Sequence, residues 1–254
     1  MNDRWQNALL RLALIGADLL LARSCVGCDL AFEPGTRANG WCPACLAAVR
    51  SQLPRCRICG REGECPECEP CRAKPPPFAR TLLLGRYAPP LDRIVRSFKF
   101  RRDPALGSAL AAALAPTVSS ALAIEPGPSS PIVVPIPLSV ERLAERGYNQ
   151  SALIARPLAR RLRLPFEPQA LRRSRAGPAQ SGLGPQARQR NVDQAFVAPQ
   201  PLSQPVLLVD DVMTTGATLA AAAQALIAAG APSITCVVVA RTQPPDVQRR
   251  PGSP

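Results

Sequence analysis

The chain has 254 residues, a formal net charge of +13 and no histidine; 46% of its residues are hydrophobic and only 4% are aromatic. This length allows one medium domain and one small domain with a sizeable core. The missing histidine excludes any site that depends on an imidazole. The basic charge favours an anionic partner, either a phosphorylated ligand or nucleic acid, and the alternative is a solvated arginine-rich surface.

An apolar segment near the amino terminus, residues 5–22, is interrupted by Arg11 and Asp18. It falls short of the roughly 20 apolar residues that a membrane span requires, and no convincing signal-peptide cleavage site follows it. Four large apolar residues lie near one helical face: Trp5, Leu9, Leu12 and Leu19. The pattern predicts a docked amphipathic helix over residues 1–22, no membrane span and a cytoplasmic protein.

Nine of the ten cysteines lie within residues 25–71. In a reducing compartment this density indicates metal binding rather than disulfides. The first four form two C-x2-C pairs, which are separated by thirteen residues: Cys25, Cys28, Cys42 and Cys45. Two such knuckles complete a tetrahedron around one ion, as in a zinc ribbon. The isolated Cys236 falls inside an apolar strand and is predicted to be a core residue.

A second set of cysteines begins with the knuckle Cys56-x2-Cys59, but its other half is ambiguous. Cys65, Cys68 and Cys71 offer two overlapping C-x2-C pairs, and geometry excludes neither. Without histidine, both sites are predicted to be all-cysteine, closed and therefore structural. We expect two zinc ions in a double zinc ribbon over residues 23–74, and the metal supplies the folding energy of this small module.

Residues 78–243 alternate between apolar strands and helices, which predicts an α/β fold with a doubly wound, mostly parallel sheet. The predicted strands are Thr81–Tyr87, Ile132–Ile136, one from Val206 and Ile234–Val239. The predicted helices are Leu91–Phe100, Leu106–Leu122, one through about Arg163 and one from Leu219 to about Ala229. The region Arg172–Arg190 is predicted to be a mobile loop, and residues 244–254 a disordered tail.

The most informative segment runs from Val206 to Thr218. A buried strand ends in Asp210 and Asp211, and a hydroxyl-rich loop then leads into a helix. The free backbone N–H groups at the start of that helix attract a phosphate, and the hydroxyls in the loop add donors. Ionised carboxylates suit a ribose diol or a hydrated magnesium ion. The motif is therefore suited to hold a ribose 5-phosphate by both ends.

These thirteen residues resemble the phosphoribosyl pyrophosphate (PRPP) signature of type I phosphoribosyltransferases. Together with the paired cysteines, three further motifs make residues 20–240 resemble the ComF family, in which a zinc-ribbon module precedes such a domain. The motifs are Val133-Val-Pro135-Ile-Pro137-Leu, Arg146-Gly-Tyr-Asn-Gln150 and Arg188-x2-Asn191. Common forms of the family have His at the position of Ser139, Phe at that of Tyr148 and Gly at that of Arg102. Because this chain has no histidine, no imidazole can be essential to its chemistry.

The resemblance implies a set of roles for individual residues. The 5-phosphate of PRPP would lie on Thr214, Thr215, Gly216, Ala217 and Thr218, and its ribose hydroxyls on Asp210 and Asp211, with Mg²⁺ bridging to the pyrophosphate. Pyrophosphate would bind after Ile132–Ile136. The positively charged candidates are Arg142, Arg146, Lys99 and, from the mobile loop, Arg188. The family also places the last cysteine pair just before a Pro-Pro, which favours Cys68 and Cys71.

The resemblance also implies a role in DNA uptake during natural competence, alongside a helicase-like partner. The alternative is a non-catalytic adapter that binds a helicase or single-stranded DNA and keeps the PRPP site as a sensor or relic. No segment plainly recognises an acceptor, so turnover stays open. One hypothesis is that the zinc module covers the pocket, which would make acceptor choice a property of residues 25–71.

Overall fold

The computed structural model describes residues 24–32, 39–50, 53–100, 104–124, 129–174 and 195–243. The predicted amino-terminal helix, Arg188 and the predicted tail lie outside these ranges. The described helices are α1 (Pro43–Val49), α2 (Glu69–Ala73), α3 (Leu91–Phe100), α4 (Pro104–Ile124), α5 (Val140–Arg146), α6 (Gln150–Leu162) and α7 (Ala217–Ala228). The strands are β1 (Arg80–Arg86), β2 (Ile132–Pro135), β3 (Arg172–Arg173), β4 (Phe196–Val197), β5 (Val206–Met213) and β6 (Ile234–Arg241).

Four of these strands form a sheet in the order β1–β6–β5–β2, and every neighbouring pair is parallel. Strands β3 and β4 form a separate antiparallel pair. The buried strands are rich in Val, Ile and Leu, as expected for a parallel sheet that is covered on both faces. The predicted α/β fold with a doubly wound, mostly parallel sheet is confirmed.

Successive residues of β5 pack into two different cores because strand side chains alternate between the faces of a sheet. Leu207 and Val209 join the cluster that contains α4 and α6, whereas Val206 and Leu208 join the cluster that contains α7. The connection after β2 thus returns over one face, and the connection after β5 returns over the other. The crevice between β2 and β5 is therefore a topological switch point, where α/β proteins bind ligands.

Helix α4 is the one described helix that is long and apolar enough to cross a membrane, judged by length and composition alone. Its residues Leu110, Leu114 and Val118 are fully buried in the core formed with the sheet and α6. Packing in the core of the α/β fold accounts for this apolar composition.

Two predicted boundaries differ from the structure. Strand β5 continues past Val209 to Met213, because the Thr242 N–H donates to the Met213 carbonyl oxygen at 3.0 Å and prolongs the ladder with β6. The acidic pair therefore lies within the second half of the strand. The predicted helix ending near Arg163 is preceded by a separate helix, α5, which ends where Gly147 adopts the left-handed conformation, with φ of 75°.

The cysteine-rich module packs directly on the sheet domain. The indole nitrogen of Trp41 donates to the Ala109 carbonyl oxygen of α4 at 2.8 Å, and Val49 of α1 is buried in the same core as α4. Strand β1 passes so close to α1 that a Cβ added to Gly85 would lie 2.0 Å from the Val49 carbonyl oxygen. A glycine is needed there for the close approach rather than for an unusual φ.

We predict that Gly85→Ala lowers the free energy of unfolding by about 1–3 kcal/mol, because β1 and α1 must separate to admit the methyl group. Gly63→Ala is the matched control, since a Cβ at Gly63 meets no atom within 4 Å. Urea denaturation of both variants measures the difference. Equal stabilities would mean that the module is not seated against β1 as described.

Candidate ligand site and cysteine clusters

The structure gathers eight cysteines into two groups of four. The two groups are Cys25, Cys28, Cys42 and Cys45, and Cys56, Cys59, Cys68 and Cys71. Within each group the four sulfur atoms all lie within 4.8 Å of one another. Cys65 is exposed and belongs to neither group, and Cys236 is fully buried in the sheet. The structure therefore brings Cys71 rather than Cys65 into the second cluster.

The ionisation of these thiols explains why each cluster suits a cation. Burial and neighbouring cysteines raise the pKa of Cys45 and Cys71. Burial also opposes ionisation of Cys25, but backbone N–H groups outweigh it and lower the pKa of that thiol to about 6. Four thiolates this close repel one another unless a divalent cation lies between them. All-cysteine tetrahedra are typical of structural zinc, so both clusters fit one zinc ion each.

The acidic pair in the second half of β5 is held by four contacts. Ser151 Oγ donates to Asp210 Oδ1 at 2.8 Å, and the Asp211 backbone N–H donates to the same oxygen at 2.9 Å. Asp211 Oδ1 accepts from the backbone N–H of Val212 at 2.7 Å, while Lys99 Nζ lies 3.4 Å from Asp211 Oδ2. The structure thus brings three predicted site residues together: Lys99, Asp210 and Asp211.

The carboxyl of Asp210 is hard to ionise in this setting. Burial and the neighbouring negative charge of Asp211 raise the pKa of Asp210 to about 7, from an ordinary value of 3.8. Hydrogen bonds from Ser151 and the Asp211 N–H, together with the charge of Lys99, oppose the shift without cancelling it. A carboxyl with this shift gains from a nearby cation, which favours its ionised form.

The predicted phosphate loop follows directly. Thr214, Thr215 and Thr218 are exposed, and Thr215 Oγ1 accepts from the Ala217 N–H at 3.3 Å. Gly216 is the N-cap of α7 and adopts the left-handed conformation, with φ of 90°. The loop side chains at the start of α7 are therefore open to solvent, and the first backbone N–H groups have no carbonyl partner within the helix, an arrangement that suits phosphate.

The segment after β2 is organised by its Arg-Gly-Tyr-Asn-Gln motif. Tyr148 donates its hydroxyl to the Phe98 carbonyl oxygen at 2.5 Å. Asn149 caps α6 through its side-chain oxygen, and its amide nitrogen donates to the Ile136 carbonyl oxygen at 2.9 Å. Helix α5, which carries an exposed Arg142 and a half-buried Arg146, is thereby held just beyond the end of β2. Their role in binding pyrophosphate stays a prediction.

Two contributors to the site were not foreseen. Ser151 fixes Asp210 from the next helix, and Arg241 connects the second cysteine cluster to the end of β5. Arg241 donates to the Cys59 carbonyl oxygen at 3.0 Å and to the Met213 carbonyl oxygen at 3.2 Å. A cleft of about 440 Å³ lies between this cluster and α7, and Thr215 and Gly216 form part of its wall. The phosphate loop is thus close to the second cluster.

The ligand assignment is tested by zinc content. We expect Cys71→Ser to lose one of two zinc equivalents, because three thiolates and a hydroxyl hold the ion far more weakly. Cys65→Ser is the matched control and should keep both equivalents, since Cys65 lies outside the clusters. Emission spectroscopy after dialysis against a chelator gives the count. Loss of zinc from the Cys65 variant would contradict the assignment.

The raised pKa of Asp210 makes stability depend on pH. Between pH 3.8 and 7 the carboxyl ionises in the unfolded chain while it stays protonated in the folded one, so folding loses stability as pH rises. Asp210→Asn keeps both acceptor contacts of Oδ1 and removes this cost. We expect its stability advantage over the unchanged, ligand-free chain to grow by about 2 kcal/mol between about pH 5.5 and 8.

Thermal and urea unfolding at the two pH values measure this difference. The exposed Glu64→Gln serves as the control and should show no such trend. An advantage that shrinks as pH rises would show that burial does not govern Asp210.

Comparison with known proteins agrees with this architecture. Residues 149–250 match the family model described as the phosphoribosyl transferase domain. The chain is 36% identical over 206 residues to the DNA utilization protein YhgH of Salmonella typhi, covering 80% of this chain and 91% of that protein. It is 32% identical over 187 residues to Competence protein F of Haemophilus influenzae, covering 71% and 81% of the two chains.

A third relative is Competence protein ComFC of Bacillus subtilis, 30% identical over 193 residues, which cover 69% of this chain and 72% of that one. The alignments extend well beyond the region matched by the domain model. The relatives, the phosphoribosyltransferase-type sheet and the two four-cysteine clusters lead to one conclusion: this chain belongs to the ComF family.

Proposed function

We propose that the crevice at the end of β5 binds PRPP together with Mg²⁺, and that the protein acts in DNA uptake during natural competence. The proposal that the crevice binds PRPP rests on the order of three features along one continuous stretch of backbone. An acidic pair, a hydroxyl loop and the open start of α7 follow one another at the switch point of the sheet. Those groups suit the diol and the 5-phosphate of one phosphorylated ribose.

The pyrophosphate of the proposed ligand would extend towards β2. Arg142 and Arg146 lie on α5 just after that strand, so they are two cations on this side. Lys99 lies on α3 and forms an ion pair with Asp211. When the ribose diol binds, either this ion pair breaks or the Asp211 carboxylate contacts Lys99 and the diol together. Arg188 stays a prediction from the sequence. Positive groups here would stabilise the charge that develops on departing pyrophosphate.

The carboxylates fit a magnesium ion that arrives with the ligand. Oxygen donors are what Mg²⁺ prefers, and a bound cation would favour the ionised form of Asp210. Bound Mg²⁺ would neutralise part of the pyrophosphate charge. The task of the chain itself is to hold the sugar while the bond from the anomeric carbon to pyrophosphate breaks.

The second part of the proposal rests on the relatives, two of which are named competence proteins and one a DNA utilization protein. The net charge of +13 is consistent with an anionic partner such as single-stranded DNA. We also propose a cytoplasmic location, because eight cysteines that must stay reduced to hold zinc favour a reducing compartment.

The alternative function is an adapter for a competence helicase or for single-stranded DNA. The observation that favours it is the surface of α5, which has no buried residue and leaves Val140 71% and Leu143 45% exposed beside Arg142. Apolar residues beside a cation form a surface that suits a protein partner. The two functions separate experimentally, because only the first requires the acidic pair.

We predict that the double variant Asp210→Asn, Asp211→Asn loses measurable binding of Mg²⁺–PRPP and keeps its zinc and its fold. Both carboxylates lie at the crevice, and the amides keep the local acceptor atoms while they lose the charge. Calorimetric titration of purified, zinc-loaded protein measures the loss, and Glu64→Gln, which removes one exposed carboxylate away from the crevice, is the control. Binding that persists in the double variant would contradict the proposed site.

The same variant tests the biological role in a naturally transformable host that depends on this protein. A fall in transformation frequency to the level of a null strain supports PRPP binding as part of DNA uptake. An unchanged frequency would instead establish that the adapter function suffices.

A further inference from the structure

The cleft of about 440 Å³ between the second cysteine cluster and α7 continues beyond the phosphate loop. Thr215, Gly216 and Ala217 form part of its wall, so the cleft opens from the loop that would hold the 5-phosphate. Asp210 and Asp211 do not line it. The cleft therefore lies at the phosphate end of the proposed ligand rather than at its diol end. The 5-phosphate of PRPP is a terminal group, so PRPP itself would leave this space unused.

The charge of the cleft favours an anion. Three positively charged side chains line it: Arg61, Lys74 and Arg241. None of the described residues in its wall is an aspartate or a glutamate. Cys59 and Cys71 of the second cluster are also in the wall, but a Zn²⁺ ion would offset about half of the charge of the four thiolates. The wall therefore carries more positive than negative charge.

Arg61 has no partner for its charge within the described part of the chain. Its Nε atom is buried and lacks a hydrogen-bond partner there. A buried donor without an acceptor is unfavourable, and more so when the donor belongs to a charged group. A phosphate in the cleft would supply acceptors for this guanidinium, because two phosphate oxygens match its paired N–H groups.

Arg241 places a second positive charge beside the loop. Its Nη1 atom donates to the carbonyl oxygen of Met213, one residue before the loop begins. Its Nε atom donates to the carbonyl oxygen of Cys59, and Arg61 follows Cys59 by two residues. The cluster and the end of β5 thus hold two guanidinium groups next to the position of the 5-phosphate.

Much of the remaining wall is apolar. Pro75, Pro76 and Pro77 come from the segment after the cysteine-rich module, and Ala220 and Ala221 come from α7. A volume of about 440 Å³ is within the range of small-molecule sites and exceeds what one phosphate requires. Positive charge and apolar surface in one cleft suit a phosphate that carries an organic group such as a nucleoside.

We propose that this cleft is a subsite for a second phosphate, and that crevice and cleft together bind a ribose 5-diphosphate ester, such as a nucleoside diphosphate ribose. The inference rests on the proposed PRPP site, because both ligands use the same positions for the diol and the 5-phosphate. The second phosphate lies at Arg61 and Arg241, and the nucleoside lies on the apolar wall.

The placement of Arg241 distinguishes this ligand from a nucleic-acid strand. Its guanidinium contacts the residue just before the loop, so its charge is next to the 5-phosphate. A phosphate joined directly to the 5-phosphate is at this position. The next phosphate of a strand is a whole nucleotide further away.

Calorimetric titration of the full, zinc-loaded chain with Mg²⁺ tests the subsite with three probes: PRPP, ribose 5-phosphate and ADP-ribose. ADP-ribose carries a free ribose diol, a 5-phosphate and a second phosphate that is joined to adenosine. We expect ADP-ribose to bind about tenfold or more tightly than ribose 5-phosphate, because the second phosphate adds charge-assisted hydrogen bonds. ADP-ribose should also compete with PRPP, since both occupy the crevice.

Three variants locate the second phosphate and the nucleoside. Arg61→Gln should weaken ADP-ribose binding about tenfold and change the affinity for ribose 5-phosphate by less than about twofold. Gln224→Trp, at an exposed position of α7 that lines the cleft, should weaken ADP-ribose binding without a change of charge, and it also serves if Arg61→Gln does not fold. Arg93→Gln is the charge-matched control at an exposed position outside the cleft and should alter neither affinity.

The diribonucleotide ApA distinguishes a diphosphate ligand from a strand. It has a ribose diol and a 5-linked nucleotide but only one phosphate. We expect it to bind more weakly than ADP-ribose. Binding of ApA as tight as that of ADP-ribose would overturn the second-phosphate subsite and indicate that the cleft accepts a nucleic-acid strand.

The remaining outcomes separate this inference from the proposed function. Suppose that the unchanged protein binds Mg²⁺–PRPP. If ADP-ribose then binds no more tightly than ribose 5-phosphate, does not compete with PRPP, or is weakened by Arg61→Gln only as much as ribose 5-phosphate is, the subsite is overturned and the PRPP site stands. If the unchanged protein does not bind Mg²⁺–PRPP, the proposed function fails, and this inference fails with it.

Discussion

Two adjacent carboxyls are held together in the second half of a largely buried strand, and the organisation of the site depends on that constraint. Asp210 and Asp211 repel each other, and burial adds to the cost, which is why the pKa of Asp210 rises to about 7. Ser151 from α6 and Lys99 from α3 reduce the cost from two sides. Ionising both carboxyls is therefore unfavourable, and a bound cation, or a diol that donates hydrogen bonds to them, would lower that free-energy cost. Carboxyls with a pKa shifted in this way are common at functional sites.

The cysteine clusters contribute to this site by fixing the surrounding backbone. The second cluster is linked through Arg241 to Met213, one residue before the phosphate loop. The same part of the module sets Gln243 through the Glu62 N–H. Closed four-thiolate clusters leave no position for substrate, so zinc would act here as a scaffold. The chemistry of the crevice is therefore separate from the metal, although the geometry of the crevice depends on the module that the metal holds.

The sequence was sufficient for features that depend on local spacing. The C-x2-C pairs and the order of strand, acidic pair, hydroxyl loop and helix lie on short stretches, so the fold class and the family could be predicted from them. Contacts between distant residues could not. Ser151 and Asp210 form a hydrogen bond although they are 59 residues apart in the sequence, and Arg241 and Cys59 do so at a separation of 182 residues. Hydrophobic periodicity does not predict such pairs. Spacing alone could not decide between Cys65 and Cys71, because both satisfy it; the family resemblance favoured Cys71, which is the one that the fold brings into the cluster.

The central claim is that one ribose phosphate spans the acidic pair and the phosphate loop. A crystal structure of the zinc-loaded protein with PRPP and Mg²⁺ tests it most directly. The account predicts density for the 5-phosphate at Thr214–Thr218, for the diol at Asp210 and Asp211, and for pyrophosphate towards Arg142 and Arg146. A crevice that stays empty at saturating ligand, or a ligand bound at another surface, would contradict it.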